Sequence, residues 1–215
     1  ETVRSSDTIE SLFARLGISD PAAAAYLRQD RAARNLLFSA AGRGVMAEFT
    51  DSRDLVRLRM RFGFETAQFK RLVVERTPEG QYTSRIESAP YDVSLRVGGG
   101  VIKSSLFAAA DESRIPDEVA TQMADIFSGS IDFHRKLQRG DRFHVVYEML
   151  EADGEPLRVG RVLTAEFVNA GRQHEALWYR EPGSNGGYFD YSGKSLESSF
   201  LASPMAVSRV TSGFS

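Results

Sequence analysis

The sequence predicts an α+β protein of two small modules: a helical and hairpin module, then a mainly antiparallel β module carrying two helices. Three observations lead there. Apolar residues recur at helical spacing through the first 38 positions. The period then drops to two over Val56–Phe62. Beyond that, β-prone runs separated by turn residues are interrupted by only two helical patterns.

The first helix is announced by Asp7-Thr8-Ile9-Glu10, a capping-box pattern with Asp7 as the cap. Ile9, Leu12, Phe13 and Leu16 follow at i, i+3, i+4 and i+7, and Gly17 stops the helix. Asp20-Pro21 starts a second, with Asp as cap and Pro at the first helical position. Asp30 caps a third through Ala33, Leu36, Leu37 and Phe38. Val45–Phe49 and Val56–Phe62 read as a hairpin turning through residues 50–54. Val56, Leu58, Met60 and Phe62 are expected on its buried face and Arg57, Arg59 and Arg61 on its wet one.

The change of pattern at Phe62-Gly63-Phe64 places a module boundary there, giving modules over 1–62 and 63–204 and a trailing segment over 205–215. In the second module strands are expected at Phe69–Val74, Tyr82–Ile86, Val93–Val97, Gln173–Arg180 and Tyr188–Tyr191. A long hairpin pairs Arg142–Leu150 with Arg158–Asn169. Helices are expected over Ser105–Ala110 and Pro116–Ser128. Gly98-Gly99-Gly100 reads as a turn or bulge, since it lacks the Gly-Lys-Ser/Thr ending of a phosphate loop.

Composition excludes several chemistries. With 215 residues, a net charge of −2 and no cysteine, there is no disulfide framework, Cys-ligated zinc or thiol nucleophile. The charge balance gives no electrostatic footprint for nucleic acid. No apolar run approaches the ~18–20 residues of a transmembrane segment. A chain that opens on Glu1 rather than Met is expected to be a mature or trimmed product. Only His134, His144 and His174 are present, with no His-Glu-x-x-His, His-x-His or His-x-x-x-Asp spacing, and no Gly-x-Ser-x-Gly or Ser-x-x-Lys occurs. No catalytic residue and no metal ligand is assigned, and no cofactor is expected in this chain.

Two features stay open on the residues alone. The aromatics Trp178, Tyr179, Tyr188, Phe189 and Tyr191 form either a platform for stacking sugar rings, with Trp178, Tyr188 and Tyr191 as its candidate contacts, or part of a sheet core. The basic residues are 23 Arg against 4 Lys, which reflects either a coding bias or, if the arginines share one face, a function.

A resemblance adds to this reading. Val3-Arg4-Ser5-Ser6-Asp7-Thr8-Ile9 with Leu12-Phe13 and Gly17-Ile18 resembles the Val-x-x-Gly-Asp-Thr-Leu opening of LysM-like modules, which bind or approach peptidoglycan, with Ser6 where those modules carry Gly. Further stretches resemble the non-catalytic N-terminal region of Gram-negative lysostaphin-type (LytM-type) zinc murein endopeptidases. They are Val101–Ala110, Ile115-Pro116-Asp117, Met123–Ser128, Arg139–Phe143, Gly160–Phe167, Gly193–Leu196 and Phe200–Pro204. Ser208–Phe214 resembles the segment leading into that family's catalytic domain, and the chain stops at Ser215, before its zinc-binding histidines.

The resemblance implies a periplasmic protein, with an upstream membrane tether left open. Its partners would be peptidoglycan and its own or a partner's LytM-type peptidase domain, and zinc would belong to the missing catalytic domain. The role implied is regulatory or substrate-positioning. A latent state is included, in which a carboxylate, Glu48 or Asp51, reaches the zinc cleft. The alternative is a stand-alone peptidoglycan-binding or hydrolase-adaptor protein.

Overall fold

A computed structural model describes residues 1–39 and 41–196, so the expectation for 205–215 lies outside the described residues. The chain divides into two compact units, Glu1–Tyr91 and Asp92–Ser215. The division falls between Tyr91 and Asp92 rather than at Phe62-Gly63-Phe64. Those three residues end a strand whose sheet continues through Pro90, so the change of hydrophobic period marks the end of the helices and not the end of a module.

In the first unit, helices α1 (Ile9–Leu16), α2 (Pro21–Gln29) and α3 (Arg31–Phe38) precede strands β1 (Val45–Phe49), β2 (Leu55–Phe64), β3 (Gln68–Arg76) and β4 (Tyr82–Pro90). The strands form an antiparallel sheet in the order β1-β2-β3-β4. Leu12, Leu27 and Leu37 from the helices are buried with Leu58, Met60, Leu72 and Val74 from the sheet. The cap of α1 is Thr8 rather than Asp7. Thr8 and Ser11 cap one another reciprocally, while the Asp7 carboxylate accepts from the Arg4 N–H, the Ser11 hydroxyl and Arg15. Asp20 and Asp30 cap α2 and α3 as expected.

One predicted core residue is displaced. A bulge sets Phe49 opposite Leu55 while Glu48 faces Arg57, so Val56 has no partner on β1. Leu55 takes the buried position and Val56 is left 39% exposed, because an extra residue shifts the alternation by one.

Asp20 does more than cap. It is 7% exposed, and its carboxylate accepts from the Ala23 N–H (2.8 Å), the Leu55 N–H (3.0 Å) and the Tyr82 hydroxyl. The Tyr82 hydroxyl is also 2.9 Å from the Leu55 carbonyl. One side chain thus ties the start of α2 to β2 and β4. Burial raises the Asp20 carboxyl, but the bonds from Tyr82, Ala23 and Leu55 outweigh it and hold the group below its ordinary value.

In the second unit, β5 (Asp92–Val101), β6 (Arg142–Ala152), β7 (Glu155–Asn169), β8 (Arg172–Tyr179) and β9 (Gly187–Phe189) form a five-stranded antiparallel sheet in sequence order. Helices α4 (Leu106–Glu112) and α5 (Asp117–Phe127) lie between β5 and β6 in the chain. The helices cover one face, burying Met123 and Phe127 with Phe143, Val145, Val162 and Phe167. The β6–β7 ladder is interrupted around Tyr147. There the Gln122 side chain of α5 donates to the Gly160 carbonyl and accepts from the Val162 N–H, both at 2.9 Å, so half-buried backbone groups beside the break are partnered.

Gly98-Gly99-Gly100 is not a turn but part of β5. A Cβ on Gly98 would stand 2.6 Å from Ile115 Cδ1, one on Gly99 2.8 Å from the Phe143 carbonyl oxygen, and one on Gly100 3.0 Å from the Phe143 ring. The glycines let the α4–α5 connection and the neighbouring strand approach β5 closely.

The Asp20 hub predicts an acid-sensitive first unit. A carboxyl whose folded pKa is depressed contributes stability that is fully present above its unfolded value of about 3.9 and is lost as pH falls through the lower folded value. Asp20→Ala is expected to cost about 2–4 kcal/mol in urea unfolding at neutral pH. Asp20→Asn should flatten the fall in stability across that acid window, and an unchanged acid limb would refute the assignment.

Candidate functional site

Successive residues of a strand point to opposite faces, and this decides which aromatics of the second unit meet. On β8 the buried Ala176 and the half-buried Trp178 face the helical layer, whereas Leu177 and Tyr179 face away from it. Across the ladder Trp178 pairs with Tyr188, Leu177 with Phe189, and Tyr179 with Gly187.

The three aromatics picked from the sequence are therefore divided. Trp178 and Tyr188 pack edge to face at 5.0 Å on the inner side, and the Arg161 guanidinium lies 3.9 Å above the Trp178 ring. The Tyr188 hydroxyl donates to the Val162 carbonyl at 2.8 Å, and burial pushes its pKa up to about 12. Tyr191 is on the other side, 54% exposed, its hydroxyl 3.1 Å from a Glu166 carboxylate oxygen.

Tyr191 joins Tyr179 and Phe189 of the same aromatic run, together with Leu177, Glu181 and Asp190, which the sequence does not single out. A groove of about 760 Å³ is lined by Leu177, Tyr179, Phe189 and Tyr191, with the acidic residues Glu181 and Asp190 at its polar edge. Leu177 is 44% exposed and Tyr179 53%. Gly187, opposite Tyr179, leaves the floor without a side chain. Asp190 accepts from the Ser192 hydroxyl (2.6 Å), the Ser192 N–H (3.0 Å) and the Lys194 N–H (2.9 Å). The Ser192 bond is the main cause that holds its carboxyl below the ordinary range. Aromatic faces beside carboxylate acceptors, of which Asp190 is held in place by Ser192 and Lys194, suit a ligand with apolar faces and hydroxyl donors, such as a sugar ring. Strict alternation along Ala176–Tyr179 was the signal in the sequence that separates Tyr179 from Trp178.

The two carboxylates expected near a peptidase cleft lie in the first unit. Glu48, on β1, is paired with Arg57 at 3.6 Å and with Arg59. Asp51 lies exposed in the β1–β2 turn.

The histidines do not converge. His134 precedes β6, His144 is on the outer face of β6 opposite Glu166, and His174 is on the inner side of β8 against Phe127. Burial lowers the His174 pKa, helped by Arg172. Among the described residues no three His, Cys, Asp or Glu are grouped so as to hold a metal ion, so they do not fit a zinc centre. Nor is any helix among them long and apolar enough to cross a membrane.

No protein-family model matches the chain. Its sequence is 26% identical over 166 residues to the peptidoglycan DD-endopeptidase ShyC of Vibrio cholerae, an alignment covering 72% of this chain and 37% of that protein. The chain is thus similar in sequence to part of a peptidoglycan endopeptidase. It is also 29% identical over 77 residues to the DD-carboxypeptidase/endopeptidase Mpg of Neisseria meningitidis, covering 36% of this chain and 18% of Mpg. Among solved structures, a zinc-containing peptidase from Vibrio cholerae aligns with a TM-score of 0.47 at 19% identity, covering 91% of this chain and 58% of that one. Helicobacter pylori Csd3 aligns at 0.48 and 14%, covering 88% and 50%. The chain thus spans little more than a third of the length of ShyC and about half that of Csd3.

The division of the aromatics is measurable. Trp178→Ala removes a ring packed against Tyr188 and Arg161 and is expected to lower stability by about 2–3 kcal/mol. Tyr179→Ala, one residue on, is expected to stay within about 0.5 kcal/mol of the parent. Equal losses in chemical denaturation would put both rings in the core.

Proposed function

We propose that this chain is the non-catalytic, substrate-positioning half of an extracytoplasmic LytM-type zinc murein endopeptidase. The observation that carries this reading is the ShyC alignment, which takes in most of this chain and a minor part of that enzyme. The LysM-like opening of the first unit and the aromatic groove of the second support a peptidoglycan ligand. The groove receives the glycan: sugar rings lie on Tyr179 and Tyr191, and hydroxyls donate to Glu181 and Asp190.

Co-sedimentation with purified sacculi tests the binding half of the proposal. The 215-residue chain is expected to pellet with them. Tyr179→Ala should weaken retention by roughly fivefold, about 1 kcal/mol for one stacked aromatic, with no change in thermal midpoint. A chain that stays in the supernatant would sink the reading.

In the latent state, the first unit supplies the carboxylate that blocks the zinc cleft. Asp51 suits that role better than Glu48, because Glu48 would have to leave Arg57 and Arg59. With the peptidase domain appended, Asp51→Asn is expected to raise the rate of muropeptide release. A rate equal to that of the parent would remove Asp51 from the latch.

A further inference from the structure

The edge of a β-sheet presents unpaired N–H and C=O groups, and proteins blunt such edges against pairing with another chain. Three of the four sheet edges among the described residues are blunted. β1 is short, is bulged between Glu48 and Phe49, and gives its first N–H to the Glu1 carbonyl. β4 carries Arg85 and Glu87 and ends on Pro90. β9 has three residues and bridges to Ser195 at Phe189. The fourth edge, β5, has none of these devices. It runs from Asp92 to Val101 in unbroken register with β6, without Pro or Lys, and among the described residues no backbone bond reaches its other side.

The side chains of β5 leave the edge open to a particular visitor. Gly98 lies under Ile115, on the face covered by the helices, so Val93, Leu95, Val97 and Val101 stand on the opposite face. Each is more than half exposed, and Val97 is 80% exposed. The remaining positions are small, apart from Asp92 and from Arg96, which Glu151 holds at 3.1 Å. An apolar stripe along a long, regular edge is matched by a second strand of the same pattern.

β5 is such a strand for itself. Residues directly opposite in an antiparallel ladder share a face. Two self-pairings of β5 satisfy this over nine residues. Pairing over 92–100 sets Arg96 against the partner's Arg96, a like-charge contact that opposes it. Pairing over 93–101 sets Val97 against the partner's Val97 on the two-fold axis. Val93 then meets the partner's Val101, and Leu95 the partner's Gly99. Arg96 faces the partner's Gly98, so no charge stands opposite a like charge, and the glycine leaves room for the Arg96–Glu151 pair.

We infer that β5 is a homodimerisation edge, through which two copies of this chain pair antiparallel about an axis at Val97. Their five-stranded sheets become one sheet of ten. The contact is isologous and occupies both edges, so assembly closes at two copies. It is a small interface, and dissociation is expected on the order of 10 μM. The groove on β8 and β9 is at the other edge of the sheet, so the inference stands independently of the peptidoglycan reading.

Sedimentation velocity of the 215-residue chain between about 1 and 200 μM tests it. The mass is expected to rise with concentration to that of two chains and to stop there. Val97→Lys brings two ammonium groups together on the axis and should weaken association at least about tenfold, with the thermal midpoint at low concentration unchanged. The chain has no cysteine, so Val97→Cys supplies a single thiol. Opposite Cβ atoms in the pairing lie within about 5.5 Å, so this variant should oxidise to a disulfide-linked dimer. Ile86→Cys, 62% exposed on the blunted edge β4, should link far more slowly. The mass of one chain at every concentration overturns the inference, as does a mass that grows beyond two chains. So does a Val97→Lys chain that associates as tightly as the parent, or a Val97→Cys chain that links no faster than Ile86→Cys. The parent masses and the cysteine comparison decide the matter even where Val97→Lys fails to fold.

Discussion

A β-strand sends alternate side chains to opposite faces, and each sheet here gives one face to a layer of helices. That constraint decides what the other face can be. In the first unit the inner positions of β2 and β3 are Leu58, Met60, Leu72 and Val74, so the intervening positions are forced outward, and Arg57, Arg59 and Arg71 stand there. In the second unit Ala176 and Trp178 turn inward, which sends Leu177 and Tyr179 out to the groove. Both outer faces are thus by-products of how the cores are filled. A one-residue slip in either register would dismantle a core and a surface together.

Registers of this kind need pinning at the loops, and a buried aspartate does this in each unit. Asp20 joins α2 to β2 and β4. Asp141, 5% exposed, accepts from the Gln138 N–H (2.7 Å), the Asn169 amide (2.7 Å) and the Ala170 N–H (2.9 Å). It fixes the entry to β6 against the β7–β8 turn, where Ala170 adopts a left-handed φ of 50°. Each carboxylate is buried only because its oxygens are matched by donors, and each therefore specifies its surroundings more tightly than an apolar residue of similar size.

How much of this the sequence discloses depends on the range of the interaction responsible. Caps and helical stripes are local, and the residues of α1 to α3 reveal them, down to Asp20 and Asp30 as caps. The second role of Asp20 is not local: its partners Leu55 and Tyr82 lie 35 and 62 residues away. The bulge that exposes Val56 and the close approaches that keep Gly98–Gly100 in a strand depend on neighbouring elements, which no window of sequence contains. The same limit explains the site. The proximity of Trp178, Tyr188 and Tyr191 along the chain leaves both platform and core open, while cross-strand pairing sorts them onto two faces and sets Tyr179 and Phe189 beside Tyr191 in the groove.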